Sequence, residues 1–594
     1  MEKRVTLAIV LMIAVVILTN LLFPPSPPPK GGQGADSTAV AGSTAAGPAP
    51  GAAARGTTGA APAGTTAAAR RGMPAGSAAA PTVAESAAAT ARRMAEAGER
   101  GPAADTSSGS VPPGDTVRVR TPLYTLTFDT RGARLVGVTL HDYASFAKGD
   151  SAGMMAQLVR PGDHLLGWRI AVGPDTLDLA NRLFRASAAS IVVDSGGGGR
   201  DSLSFRYDVP GTELTYRVSY VFRPDRYLVE AHGAFEGLGQ RGYTVLARLG
   251  SGMRTNEAKP GEDYAHLAYV VNGQSGIKSH KLDDVEPDTT LIPDGAPFRW
   301  VAVKNKYFLE ALVAPEGEHG FGGLIVRGTK EEHAADMEAA LPVPAGEAGF
   351  RLQVYLGPQE FDRTAAVGQE LQNANPYGWE WLRFIIRPLA GLITKLLTWL
   401  HNVLGLAYGW VLILFGIMMR VVLFPLYQKS MRAQMAQMKV QPLVKELQEK
   451  YKEEPEKLQK EMMRIYREHN INPLAGCLPM LLPFPVLITL FFVFENTIEF
   501  RGVPFLWIPD LSLRDPLFII PVLMGLSMFV LQWIGQRGME RNTQMKVMGY
   551  AMPVVMTFLF LRFPAGLNLY YATSNLASLP QQWYLSRERL EAQS

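Results

Sequence analysis

The residues best placed to do chemistry lie in the last third of the chain, where GIMMRVVLFPL (416–426) sets Arg420 among apolar neighbours. Inside a membrane-spanning helix an arginine costs about 3 kcal/mol on insertion scales and more in simulation, so it needs a compensating environment. Five apolar segments run through this region: Leu404–Leu426, Leu478–Phe494, Pro516–Ile534, Val547–Leu561 and Leu567–Tyr584. None contains Asp or Glu, and His401 and His469, the histidines beyond residue 373, fall outside them. Their polar groups include Arg420, Thr489, Ser527, Gln532, Thr557, Asn568, Thr573, Ser574 and Asn575. Proton relays and many ion-coupled transporters use buried carboxylates or histidines. Intramembrane metalloproteases need a ligand cluster, and a serine nucleophile needs a base within reach. The residue set argues against all of these. The hydroxyls and amides have a ready use in bonding backbone carbonyls or a neighbouring helix. Arg420 does not, because no acidic residue in any segment can neutralise it. It lies nine residues before Lys429, roughly 13 Å along a helix axis. Two readings stay open: an arginine snorkelling to the cytoplasmic headgroups, or one fixed positive charge in a water-filled groove open to the cytoplasm.

The elements that must position Arg420 follow from length and patterning. The chain has 594 residues, 47% of them hydrophobic, with a mean hydropathy of +0.04. That is high for a soluble protein of this size and fits a membrane protein with a large soluble part. Cys477 is the single cysteine, so no internal disulfide can form. A formal charge of +4 is too small to imply nucleic acid, and no nucleic-acid binding is expected. Near the N-terminus, Lys3 and Arg4 precede the apolar run Val5–Phe23. This reads as a signal anchor and first span (1–23) with its start in the cytoplasm; a cleaved signal peptide is the other reading. The stretch 427–473 carries ten Lys or Arg, and Arg537, Arg541 and Lys546 follow the fourth span, so both loops are assigned to the cytoplasm. Six spans then place both termini inside. Residues 373–403, with Trp379, Trp381, Arg383, Arg387, Lys395 and Trp399 among leucines and isoleucines, read as an amphipathic helix at the outer interface. Within 427–473, Met431, Met435, Met438, Leu443 and Leu447, then Leu458, Met462, Ile465 and Tyr466, recur at near-helical spacing. This predicts a helical hairpin with a kink at Pro442 and a second helix opening at Pro455. Its apolar stripe serves either to zip the two helices together or to catch a client.

Residues 24–114 are dominated by Ala, Gly, Pro, Thr and Ser and read as a disordered tether. From 115 to 372, short alternating runs such as VRVRTPLYTLTFDTRGARL, LSFRYDV, ELTYRVSYVF and RLQVYLG predict an extracytoplasmic antiparallel β-sandwich. GLGQRG (237–242) matches a dinucleotide fingerprint formally, but a strand-like YTVLARL follows it, so a hairpin turn is expected. SGGGG (195–199) reads the same way. The domain's histidines show neither metal-ligand nor triad spacing.

Three motifs in order, GIMMRVVLFPL, NPLAGCLPM (472–480) and FPAGLNLYYATSN (563–575), closely resemble the YidC membrane protein insertase family, which has relatives in mitochondria and chloroplasts. VRVRTPLYTLTFDTRGARL is similar to the periplasmic domain of its Gram-negative members. The resemblance implies an α-helical polytopic inner-membrane protein. Its five-helix core (404–594) would enclose a hydrophilic groove open to cytoplasm and lipid, and it would carry the periplasmic sandwich. It implies an insertase and chaperone rather than an enzyme, with no cofactor and no metal. Its partners would be nascent membrane proteins and lipids, with Sec translocon components and the ribosome as further candidates. Arg420 matches the family's groove arginine, which attracts an acidic or polar client segment. The greasy face along which the client slides maps to Phe484, Leu487, Phe491, Tyr570 and Tyr571, for which plain helix packing is the competing reading. Three departures stand out. Gly416 occupies the position, one turn before the arginine, where better-known members often carry a hydroxyl. Pro483 joins Pro479 and Pro485 in the third span. The ending LSRERLEAQS lacks the long basic tail some members use near the ribosome. A transporter or channel, and an envelope scaffold that merely anchors the sandwich, are the alternatives: the first predicts solute flux, the second tolerance of a plain anchor in place of the core.

Overall fold

The computed structural model describes residues 83–99, 114–194, 201–375, 378, 382–428, 440–451, 454–469, 484–537 and 543–593. The anchor at 1–23, the SGGGG run, Met431, Met435, Met438, Trp379, Trp381, Cys477, Pro479 and Pro483 lie outside these residues.

Between residues 116 and 358 the chain builds three sheets of five, nine and six strands. Pairing is antiparallel throughout except where Thr116–Arg120 lies parallel to Ser190–Val192. Alternation in the sequence decides which side faces the core. In Thr116–Arg120, Val117 and Val119 are buried while Arg118 and Arg120 are exposed. Trp168, Trp300, Tyr216, Tyr220, Phe128 and Phe205 fill one continuous core between the sheets. The expected β-rich domain of mainly antiparallel sheets is present.

Two local expectations change. GLGQRG is not a hairpin. It carries the chain from strand Leu228–Glu236 in the nine-stranded sheet to strand Tyr243–Gly250 in the six-stranded sheet. Gly237 adopts φ +92°, and a Cβ there would sit 2.8 Å from the Glu213 carbonyl oxygen, so the glycine serves a tight crossover. The stretch read as a disordered tether contains helix α1 (Val83–Glu99). Its Ala91 and Ala95 are buried against Leu246, Ile325 and Ala340. Within the tether, 83–99 is locally rich in Ala, Glu and Arg and free of Pro, which favours a helix, and alanines four apart let that helix lie close on a sheet. Gly323 supplies the space, since a Cβ there would come within 2.9 Å of the Ala91 Cβ.

After the sandwich, helix α2 (Phe361–Val367) leads to the helical region: α3 (Arg383–Leu404), α4 (Tyr408–Val422), α5 (Gln441–Lys450), α6 (Pro455–Glu468), α7 (Phe484–Asn496), α8 (Ile519–Gly535), α9 (Thr543–Phe560) and α10 (Ala565–Gln593). The α3 and α4 axes meet at 119°, turning through Gly405 at φ +63°. The amphipathic helix therefore crosses the direction of the helix that carries Arg420. It buries Ile386, Ala390, Ile393, Leu397 and Leu400 and exposes Phe384, Leu392 and Trp399. Among the described residues no single helix is long and apolar enough to cross a membrane, whereas the bent pair α3 and α4 is so by length and composition. In the hairpin, Pro455 opens α6 as the sequence suggests. Pro442 sits in the first turn of α5, where its missing N–H costs nothing; the residues before it, 429–439, lie outside those described. Leu443 and Met463 stay exposed.

Candidate functional site

Helices α4 and α10 bring the site together. Phe415 on α4 packs on Tyr570 of α10 with ring centroids 5.6 Å apart. One residue on, Gly416 faces α10, where a Cβ would lie 3.3 Å from Thr573 Cγ2 and 3.4 Å from the Tyr570 carbonyl oxygen. The missing side chain thus lets the two helices touch beside the Thr573 side chain. One turn later Arg420 is half-buried, its guanidinium carbon 3.9 Å from the ring centroid of Tyr427. Its Nε is buried and has no hydrogen-bond partner among the described residues. Tyr427 belongs to the site although its place at the start of the basic stretch 427–473 suggests a loop. Its signal was available: it follows Arg420 by seven residues, two helical turns, on the same face.

The other assigned residues divide. Phe491 is buried in the bundle against Phe563, 5.3 Å between centroids, and Tyr570 is buried as well. Both are packing residues in this state. Leu487 and Tyr571 are half-buried at the edge of the same cluster, with Tyr571 5.3 Å from Phe560. Phe484 is the first residue of α7. The polar groups follow the simple expectation. Thr489 donates to the Pro485 carbonyl at 2.7 Å and Thr557 to that of Pro553 at 2.7 Å. Asn568 Nδ2 donates to the Phe560 carbonyl at 3.0 Å. Asn575 Nδ2 reaches Ser527 Oγ at 3.2 Å, linking α10 to α8. Outward-facing Trp410, Val421, Val522 and Phe558 are each more than half exposed, an apolar girdle that water does not tolerate and lipid does.

The sandwich holds an open cleft of about 660 Å³, lined in part by Arg217, His232, Glu236, His319, Glu347 and Arg351. Its charges are mixed and pair with each other, as His319 Nε2 does with Glu347 at 3.3 Å. Among the described residues no three His, Cys, Asp or Glu side chains form a metal-binding group.

Residues 116–392 match the family model for the YidC periplasmic domain, and residues 399–593 match that for the 60Kd inner membrane protein. The membrane protein insertase YidC of Chlorobaculum tepidum is 30% identical over 525 residues, covering 83% of this chain and 85% of that protein. That of Oleidesulfovibrio alaskensis is 30% identical over 509 residues, covering 83% and 90%. A crystal structure of an active YidC insertase with its first transmembrane domain resolved aligns with 80% of this chain and 95% of its own, at 18% identity and a TM-score of 0.32. Since the two family models follow one another along the chain and relatives align with more than four fifths of it, the protein belongs to the YidC membrane protein insertase family.

Proposed function

We propose that this protein inserts nascent membrane proteins into the inner membrane through a cytoplasm-open groove whose fixed charge is Arg420, without a cofactor and without breaking a covalent bond. Six spans with both termini inside, 427–473 in the cytoplasm and the sandwich in the periplasm complete the reading. The observation that carries it is the state of Arg420: a half-buried guanidinium resting on Tyr427, with its Nε unpartnered among the described residues. A charge held this way is poised to accept a carboxylate brought by a client. Hydrating and neutralising the client's acidic flank lowers the barrier, and partition of its apolar helix into lipid supplies the drive. Leu487 and Tyr571, half-buried at the bundle edge, are the side chains best placed to meet that helix. Sec translocon components fit this role as partners in assembling multi-span clients.

Site-specific photocrosslinking from positions 420, 487 and 571 to a stalled nascent membrane protein tests the reading. Client adducts are expected there and not from the girdle positions Val522 and Phe558. Equal labelling from both sets refutes the groove.

A further inference from the structure

The outer end of α7 and the turn after it carry charges that the insertion mechanism leaves unused. Glu495 lies in the last turn of α7, and the short turn Ile498–Phe500 leads to Arg501. This turn belongs to two cores at once. Ile498 is part of the sandwich core, while Phe500 is part of the helical bundle core. Arg501 then enters the sandwich with only 3% of its side chain exposed. Its Nε donates to Glu257 Oε1 at 2.7 Å, and an Nη donates to the Asn256 carbonyl at 3.1 Å. Phe146 and Phe308 cover the guanidinium at 4.6 and 5.4 Å.

The receiving wall is itself braced. Asn256 exchanges two hydrogen bonds with the backbone of Gln157, at 2.8 and 2.9 Å. Nearby Asp263 accepts from the Lys306 amide at 3.1 Å and from Asn305 Nδ2 at 3.2 Å. A second contact runs parallel, with His266 Nε2 facing Glu495 at 3.9 Å. Gly502 adopts φ +69°, and a Cβ there would stand 2.7 Å from Phe146 Cζ, so the chain must pass the wall closely at this point.

A buried ion pair adds little net stability over an apolar packing, but any other docking register would bury two unpaired charges. Such a pair selects one orientation. We infer that Glu257 and Arg501 are positioning residues, an interdomain lock through which the sandwich fixes the outer end of α7 and so the orientation of Leu487. The lock itself is independent of the insertase reading; its consequence for Leu487 rests on that reading.

The test uses the full chain in nanodiscs, with Cys477→Ser and spin labels at Val192→Cys on the sandwich and Leu526→Cys on α8. Glu257→Gln and Arg501→Gln are each expected to widen the distance distribution about twofold, because either change leaves the other member of the pair buried without its counter-charge. The double variant is expected to add little beyond the singles, as for two halves of one contact. Sandwich-core hydrogen exchange serves as the folding control. Unchanged distances in both single variants overturn the lock, and so does additive widening in the double variant. Photocrosslinking from position 487 to a client is expected to fall in the single variants. Widened distances with undiminished crosslinking overturn the positioning role. Absence of crosslinking in the otherwise unaltered protein counts against the client reading alone, and the distances still decide the lock.

Discussion

Replacing Arg420 by Met, which keeps an apolar stem but removes the guanidinium, separates the proposed groove's electrostatics from its packing. Two charges about 5 Å apart attract by about 0.8 kcal/mol at the dielectric of water and about 3 kcal/mol at an effective value near 20. Arg420 sits between these limits, half-buried and with a buried Nε. A coupling of about 1–2 kcal/mol is therefore expected, roughly a 5- to 30-fold change in rate or affinity. The assay is a double-mutant cycle on initial insertion rates in proteoliposomes, pairing Arg420→Met with an Asp→Asn change in the client's translocated flank. The acidic client should slow 5- to 30-fold and the neutral client far less, by the same order-of-magnitude estimate. Arg420→Lys keeps the charge but fits the Tyr427 ring less well, a loss of about 0.5–1 kcal/mol. Coupling below about 0.3 kcal/mol, or equal slowing of both clients, refutes the electrostatic role.

Gly416→Ala and Gly416→Ser place one carbon 3.3 Å from Thr573 Cγ2. Insertion should persist with a stability loss of at most about 1 kcal/mol, whereas Gly416→Leu should overpack α4 against α10 and cost about 3 kcal/mol or more. Thermal unfolding in detergent reads both, and a fully stable Gly416→Leu would show that the helices do not meet there. In the sandwich, burial pushes the Lys304 ammonium down to about 8 from its ordinary 10.5. The folded state then holds fewer protons than the unfolded state between those values, so stability rises with pH through that window. At pH 7 both states are protonated, and the penalty is about 3 kcal/mol. Lys304→Met removes it but also two acceptor contacts, Asn375 Oδ1 at 3.1 Å and the Asn305 carbonyl at 3.4 Å, which with a charged donor are worth about 1.5 kcal/mol or more each. Little net change at pH 7 and a flat profile from pH 8 to 10 are expected in urea unfolding followed by tryptophan fluorescence. A destabilised variant that keeps the slope would contradict this.

Sequence patterning carried the sandwich because alternation such as Val117 and Val119 against Arg118 and Arg120 is a local property. It failed where the outcome depends on distant neighbours. Ala91 and Ala95 look like tether residues until Gly323, over two hundred positions later, leaves room for them. GLGQRG looks like a hairpin because the sheets its two flanking strands join are set elsewhere in the chain. Phe491 and Tyr570 were assigned to a greasy face, and in three dimensions they pack inside the bundle. Apolar character fixes burial more readily than it fixes direction.

The two arginines sharpen this point. Arg420 is conspicuous in sequence because its neighbours are apolar and no carboxylate occurs in any span. Arg501 is inconspicuous, one of several charges in the loop that also holds Glu499, Asp510, Arg514 and Asp515, and its partner Glu257 lies 244 residues earlier. Yet Arg501 is the more deeply buried of the two, and it is paired. The cost of desolvating a guanidinium can be met by a fixed carboxylate, which yields a rigid joint, or left to partial hydration, which keeps the charge available. A joint suits the periplasmic end of α7, where the sandwich must hold one orientation. An available charge suits the proposed groove, where each client would bring its own carboxylate. Exchanging the two arrangements, with a permanent acid beside Arg420, should therefore occupy the groove with the protein's own ion pair and suppress insertion of acidic clients most strongly.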